Sequence, residues 1–278
     1  MNLLNLKNIE KHFKHSNFKL NIDNLNIKQG EIVGLVGENG SGKSTIINLI
    51  AGNKIYDSGT ISFFESKKND KNNLSFVLDD ACFPKMINIY QLNNCFNHIY
   101  TYWDSEKFFE YIEKFDIPKK QHVKHLSKGM MAKLSLSIAL SHKSKLLILD
   151  EATSGLDVTS REVILQEIKD YVLKNNSGAL ITSHIGHDID YISGKIYFIK
   201  NGEIISKIHK REFYDGFCYL KLTNKDFKYF YQQNRQNIYA YYKNGDFTEV
   251  ILRNQGNKEN IKDIDIIIKI LLKGVILK

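Results

Sequence analysis

Proline is scarce, with 2 residues in 278, and neither an internal repeat nor a low-complexity tract interrupts the sequence. With 42% apolar residues, this excludes a disordered chain and leaves a sizeable packed core. The length fits one large domain, or one domain plus a small appendage. Cysteine is equally sparse. Cys82, Cys95 and Cys218 are widely spaced, with no paired CxxC, which argues against a disulfide framework or a zinc site and fits a reducing cytosol. Long apolar runs are missing too. The N-terminal residues meet charge too early for the apolar core of a signal peptide. The most apolar stretch, residues 264–277, is broken by Lys269, Lys273 and Gly274. No segment reaches the roughly 18 to 20 apolar residues that span a bilayer. Any path across a membrane is therefore expected to come from another chain.

Basic residues outnumber acidic ones, 39 to 31, for a formal charge of +8. They are scattered, as in Lys7, Lys11, Lys14, Lys119 and Lys120, and form no dense run. A solvated lysine-rich surface accounts for them; phosphate-bearing ligands or an anionic membrane surface are the other readings.

Apolar alternation predicts strands over residues 3–9 and 18–27. A short apolar strand over residues 31–36 runs into a glycine-rich loop, and a helix follows over 44–51. Further strands are expected at 60–64, 75–78, 146–149, 179–182 and 196–199. Residues 88–140 have a helical pattern, and 161–173 form an amphipathic helix. Strands alternating with helices predict an α/β fold with a mainly parallel sheet. After Ile205 the pattern becomes that of a small α+β appendage: strands at 217–222, 238–242 and 247–252, helices at 225–233 and 262–272, and a hairpin turn at Asn244-Gly245.

Three segments bear chemistry. Gly37-Glu38-Asn39-Gly40-Ser41-Gly42-Lys43-Ser44-Thr45 satisfies GxxxxGK[ST]. Its glycines let backbone N–H groups point at phosphate oxygens, Lys43 reaches the β- and γ-phosphates, and the Ser44 hydroxyl ligates Mg²⁺. Leu146-Leu147-Ile148-Leu149-Asp150-Glu151 delivers two carboxylates to the mouth of the sheet. There Asp150 is suited to Mg²⁺ and Glu151 to orienting the attacking water. Leu126-Ser127-Lys128-Gly129-Met130 opens an apolar helix. Local physics allows either a plain N-cap at Ser127 or a phosphate site on the helix terminus.

Taken together with Ser154-Gly155-Leu156-Asp157 and a strand ending at His184, the order and spacing of these motifs resemble the ATP-binding cassette family over residues 1–206. LSKGM is similar to the family's LSGGQ signature, with Lys128 and Met130 as departures. The resemblance implies a P-loop ATPase core with antiparallel β and helical subdomains, the latter over about residues 84–140. A C-terminal α+β domain covers residues 207–278. It also implies ATP and Mg²⁺ as cofactors and a head-to-tail dimer, homodimeric by expectation. In that dimer Ser127, Lys128, Gly129 and Met130 complete the partner's site and Asp157 links the two sites. His184 contacts the γ-phosphate. Phe13 falls where an aromatic stacks on adenine, a core phenylalanine being the other reading there. Asp79 occupies the position of the family's Q-loop glutamine, and a carboxylate is a hard oxygen ligand for Mg²⁺.

An acidic Q-loop, LSKGM and a single cassette with a small tail look similar to the stand-alone ATPase subunits of a bacterial exporter branch. Several of these export antimicrobial or amphipathic peptides. The implied partner is a separate transmembrane permease, through which the chain would sit at the cytoplasmic face of the membrane. Residues 83–115 are where family members receive its coupling helix, though a plain helical core accounts for the same aromatic side chains. The alternative is a soluble non-transport cassette acting on nucleic acid or ribosomes. Such proteins carry two cassettes or a coiled-coil insertion, which this sequence lacks, so no direct nucleic-acid partner is expected. The appendage shows no ligand motif, leaving dimerisation or regulation as its expected role.

Overall fold

The computed structural model describes residues 1–14, 16–64, 71–78, 83–253, 261 and 263–277. Strands β1 (Asn2–His12) and β2 (Lys19–Lys28) pair antiparallel, with Leu6 opposite Leu25 and Ile9 opposite Ile22. Their alternating apolar side chains therefore share one buried face. β3 (Ile32–Val36) is fully buried and runs through the glycine-rich loop into helix α1 (Lys43–Ile50). β4 (Ser58–Phe63) pairs along the other edge of β1. Gly59 is needed there, because its φ is +100° and an added Cβ would lie 2.2 Å from the Asn8 carbonyl oxygen.

β5 (Leu74–Val77) precedes the helical region. The pattern over residues 88–140 resolves into α2 (Ile89–Ile99), α3 (Ser105–Lys114) and α4 (Lys128–Leu140). Asn88 and Gln91 form a capping box on α2, and Asp104 caps α3. Then follow β6 (Leu146–Asp150), α5 (Val158–Asn175), β7 (Gly178–Thr182), α6 (Gly186–Ile192), β8 (Lys195–Lys200) and β9 (Glu203–His209). The nine strands order as β4-β1-β2-β9-β8-β3-β7-β6-β5. The five from β8 to β5 are mutually parallel, and β9, β1 and β4 pair antiparallel with β8, β2 and β1 respectively. Both faces of the parallel part are covered. Val33, Leu35, Ile148 and Leu180 pack with α1, whereas Val36, Leu147, Leu149 and Ile181 pack with the other helices. Each such buried branched side chain stabilises the fold by about 1.5–3 kcal/mol. The chain is thus α/β, with a mainly parallel sheet, antiparallel strands on one side and a helical region, in agreement with the sequence.

β9 continues through residue 206 to His209. Beyond it lie α7 (Lys210–Asp215), β10 (Phe217–Thr223), α8 (Asn224–Asn234), β11 (Ile238–Asn244), β12 (Phe247–Arg253), α9 (Ile264–Lys273) and β13 (Val275–Ile276). The four strands form an antiparallel sheet ordered β10-β12-β11-β13. On one face, Phe227 of α8 packs with Cys218, Val250 and Leu252. On the other lies α9, whose Ile264, Ile267, Ile270 and Leu271 join the same apolar core as the helical face of the main sheet. Lys269 ties α9 to its own sheet through the buried Glu249, at 2.6 Å. α9 also packs directly on α6 and β8. Among the described residues, no helix is long and apolar enough to cross a membrane.

Candidate active site

The glycine loop is shaped by backbone conformations that side chains disfavour. Gly40 and Gly42 have φ of +79° and +116°, in and beyond the left-handed region that glycine alone enters freely. Gly37 is required by crowding, since a Cβ there would lie 2.4 Å from the Ile199 carbonyl oxygen and 2.5 Å from Ser41 Oγ. Lys43 opens α1 and is buried, and its Nζ donates to the carbonyls of Gly37 at 2.6 Å and Glu38 at 3.2 Å. Burial lowers its pKa, while Glu151 and Asp150 act in the opposite direction. Ser41 Oγ is buried and has no hydrogen-bond partner among the described residues.

This loop forms one wall of a cleft of about 770 Å³, within the size range of small-molecule sites. Asn39, Gly40, Gly42, Lys43, Ser44 and Thr45 line it from the loop and α1, and Asp150 and Glu151 from the end of β6. Phe13 forms its outer edge, half-buried, with its ring centroid 5.9 Å from Phe18 and Lys54 Nζ 5.5 Å from it. The cleft is therefore cationic near the phosphate loop, acidic at the strand end and aromatic at the edge. Gly37 and Ser41 shape the loop from behind. Asp79 lies outside the described residues; Leu78, just before it, lines the cleft.

The two carboxylates are held by the neighbouring strand. Register places Asp150 opposite Thr182. The Thr182 hydroxyl donates to Asp150 Oδ1 at 2.6 Å and accepts from the Glu151 N–H at 3.1 Å. Glu151 adopts a left-handed φ of +51°, a conformation that costs about 1 kcal/mol or more and clusters at functional sites. Its Oε2 lies 2.7 Å from Nδ1 of His184, whose side chain is 63% exposed and reaches the cleft only through Glu151. A carboxylate only accepts, so the imidazole donates through Nδ1.

The remaining predicted residues gather elsewhere. Ser127 caps α4 by accepting from the Met130 N–H at 3.2 Å. Lys128 Nζ donates to Ser154 Oγ at 3.3 Å, and a Cβ on Gly129 would be 3.4 Å from the Gly155 carbonyl oxygen. Asp157 caps α5 through the Ser160 N–H at 2.9 Å, which holds its carboxyl below the usual range. Residues 127–130 and 154–157 thus form one patch, and neither 127–130 nor 157 lines the chain's own cleft.

A buried network missed in the sequence links these parts. Asp188, fully buried on α6, accepts from Thr153 at 2.6 Å and Ser183 at 3.2 Å and faces Arg161 Nε at 3.8 Å. Arg161 in turn donates to the Leu156 carbonyl at 3.2 Å. Position was the available signal. Thr153 follows the acidic pair, and Thr182 and Asp188 flank His184.

Residues 20–154 match the family model described as ABC transporter. The ABC transporter ATP-binding protein YtrB of Bacillus subtilis (strain 168) is 32% identical over 203 residues, covering 72% of this chain and 70% of that protein. The lantibiotic transport ATP-binding protein SrtF of Streptococcus pyogenes is 30% identical, covering 73% of this chain and 89% of its own length. Proteins named for import are matched as well. Among solved structures, a dimeric ATP-binding cassette in a post-hydrolysis state with ADP and Pi shares the fold. Its TM-score is 0.66 at 21% identity, over 75% of this chain and 99% of that one. Sequence relatives and site agree: the chain belongs to the ABC transporter family, as one of its ATP-binding, ATP-hydrolysing proteins.

Proposed function

We propose that the chain is the ATPase subunit of an exporter, acting as a head-to-tail pair on a separate membrane protein. The observation that carries hydrolysis is the Glu151–His184 pair at 2.7 Å, beside the cleft of the phosphate loop. In this reading Phe13 stacks on adenine. The backbone from Gly37 through Asn39, Gly40, Ser41 and Gly42 to Thr45 cradles the phosphates, and Lys43 neutralises the β- and γ-phosphates. Ser44 and Asp150 would hold Mg²⁺, joined by Asp79. Ser44 and Asp150 offer hard oxygen donors lining one cleft, a set that fits a cation that keeps waters and substrate phosphate in its shell. Mg²⁺ supplies charge neutralisation to the phosphates. Glu151 accepts the proton of the attacking water as the bond between the γ-phosphorus and the β-bridging oxygen breaks, releasing ADP and phosphate. His184, tied through Nδ1, keeps that carboxylate and the γ-phosphate in register.

Exposure of Ser127, Lys128 and Asp157 away from the chain's own cleft supports completion of the site by a second copy. Residues 1–206 act as the nucleotide-binding unit and 207–278 as its C-terminal unit. Export, with peptides or drugs as cargo, is supported by LSKGM, by the acidic Asp79 and by the relative named for lantibiotic transport. It places the chain at the cytoplasmic face of the membrane through its partner.

Purification from detergent-solubilised membranes tests this reading. The expected companion is a transmembrane protein bearing an in-plane amphipathic helix. Recovery with ribosomes or RNA instead, in a salt-sensitive manner, would favour the non-transport reading.

A further inference from the structure

Helix α6 begins two residues after His184, and its N-cap, Ile185, supplies no side-chain hydrogen bond. Free N–H groups at a helix start need an acceptor. Here a carboxylate from the far end of the chain lies against the helix start. The Asp265 carboxylate of α9 faces the Gly186 N–H, and a Cβ on Gly186 would sit 1.9 Å from Asp265 Oδ1 and 3.1 Å from Ile264 Cγ2. Asp265 is exposed, but partial desolvation raises its pKa and Asp263 adds to that, while His187 and the Gly186 N–H favour its charged form. Other residues beyond β9 grip the same short helix. The Tyr214 hydroxyl donates to Asp190, and Lys210 pairs with it at 3.4 Å. On its opposite side, α6 is anchored to Thr153 and Ser183 through Asp188.

We propose that Asp265 is a positioning residue for hydrolysis: by seating the start of α6 from the C-terminal unit, it holds His184 against Glu151. The inference rests on the reading of Glu151 and His184 given above. It makes the C-terminal unit part of the catalytic framework, because α9 joins the sheet of that unit to the helix that follows the histidine.

The test compares Asp265→Ala, Asp265→Asn and Gly186→Ala with the parent chain in ATPase assays and in amide hydrogen exchange without nucleotide. Asp265→Ala is expected to lower kcat about tenfold and leave KM for ATP within about twofold, since no α6 residue lines the cleft. Exchange at residues 185–189 should rise. Asp265→Asn keeps an acceptor of the same size and should restore both readouts. Gly186→Ala, whose methyl displaces the carboxylate, should reproduce the Asp265→Ala defect. Parental kcat and unchanged exchange in Asp265→Ala would overturn the proposal, as would equal loss in Asp265→Asn or parallel changes in KM and kcat. A His184→Ala variant that hydrolyses ATP at the parental rate would instead overturn the site reading, and the role of Asp265 with it.

Discussion

Oε2 of Glu151 and Nδ1 of His184 lie 2.7 Å apart, although 33 positions separate them in the sequence. Strand register explains the meeting. β6 and β7 are parallel and set Asp150 opposite Thr182, so the residues that follow both strands emerge at the same edge of the sheet, where ligands of open α/β folds bind.

A pair acting as one unit should not lose its contribution twice. Glu151→Gln and His184→Ala are each expected to lower kcat by about 10²–10⁴. The double variant should be only slightly worse than the poorer single one. Steady-state hydrolysis of the three variants measures this; additive losses would mean that the residues act separately.

Thr182 joins the two carboxylates, donating to Asp150 and accepting from the Glu151 N–H. Thr182→Val removes both contacts at nearly constant shape. The loss should be about 1–2 kcal/mol of site organisation, seen as a raised Mg²⁺ concentration for half-maximal hydrolysis and a kcat lowered about tenfold. An unchanged Mg²⁺ titration would count against a metal role for Asp150.

Asp188 should matter for the fold before it matters for rate. It is fully buried, bonded to Thr153 and Ser183 and beside Arg161. Asp188→Ala leaves those donors unpaired, and a loss of about 3 kcal/mol is expected. For a chain of this size that lowers Tm by about 5 °C. Thermal unfolding with and without the substitution checks the figure, with Thr153→Ala expected to lose about 1 kcal/mol.

His142 gives the fold an acid-sensitive point far from the chemistry. Burial pushes its imidazole down to about 4 from an ordinary 6.5. Tyr100 stacks on it at 4.1 Å and Ser75 Oγ lies 2.6 Å from Nε2. Between those values the unfolded chain binds a proton that the folded chain does not, so this contribution is full above about pH 6.5 and fades as pH falls towards 4. From pH 7 to pH 5 the parent should lose about 2 kcal/mol more than His142→Gln. Urea unfolding at both values reads the difference, and equal losses would contradict it.

Local patterns were legible in the sequence and distant pairings were not. The phosphate loop needs only a strand, glycines at fixed offsets and a helix, so Gly37 to Thr45 and the Asp150-Glu151 strand end stood out. Thr182 and Asp188 owe their roles to cross-strand register and to burial beside Thr153, which no local window contains. α6 escaped notice because it has 7 residues and no side-chain cap of its own. Asp265 lies far along the chain from Gly186, whose N–H it faces. The pattern over residues 88–140 was helical throughout, but breaks at Tyr100 and after Phe115 depend on how the aromatic side chains stack.

In the proposed mechanism residues 37–45 form half of a site that a second copy completes. Sedimentation of Glu151→Gln with MgATP tests it most directly. The expected result is a species of twice the 32.2 kDa chain mass, formed with ATP, absent with ADP, and abolished when Ser127→Arg is added. A Glu151→Gln chain that binds ATP and remains a monomer would contradict it.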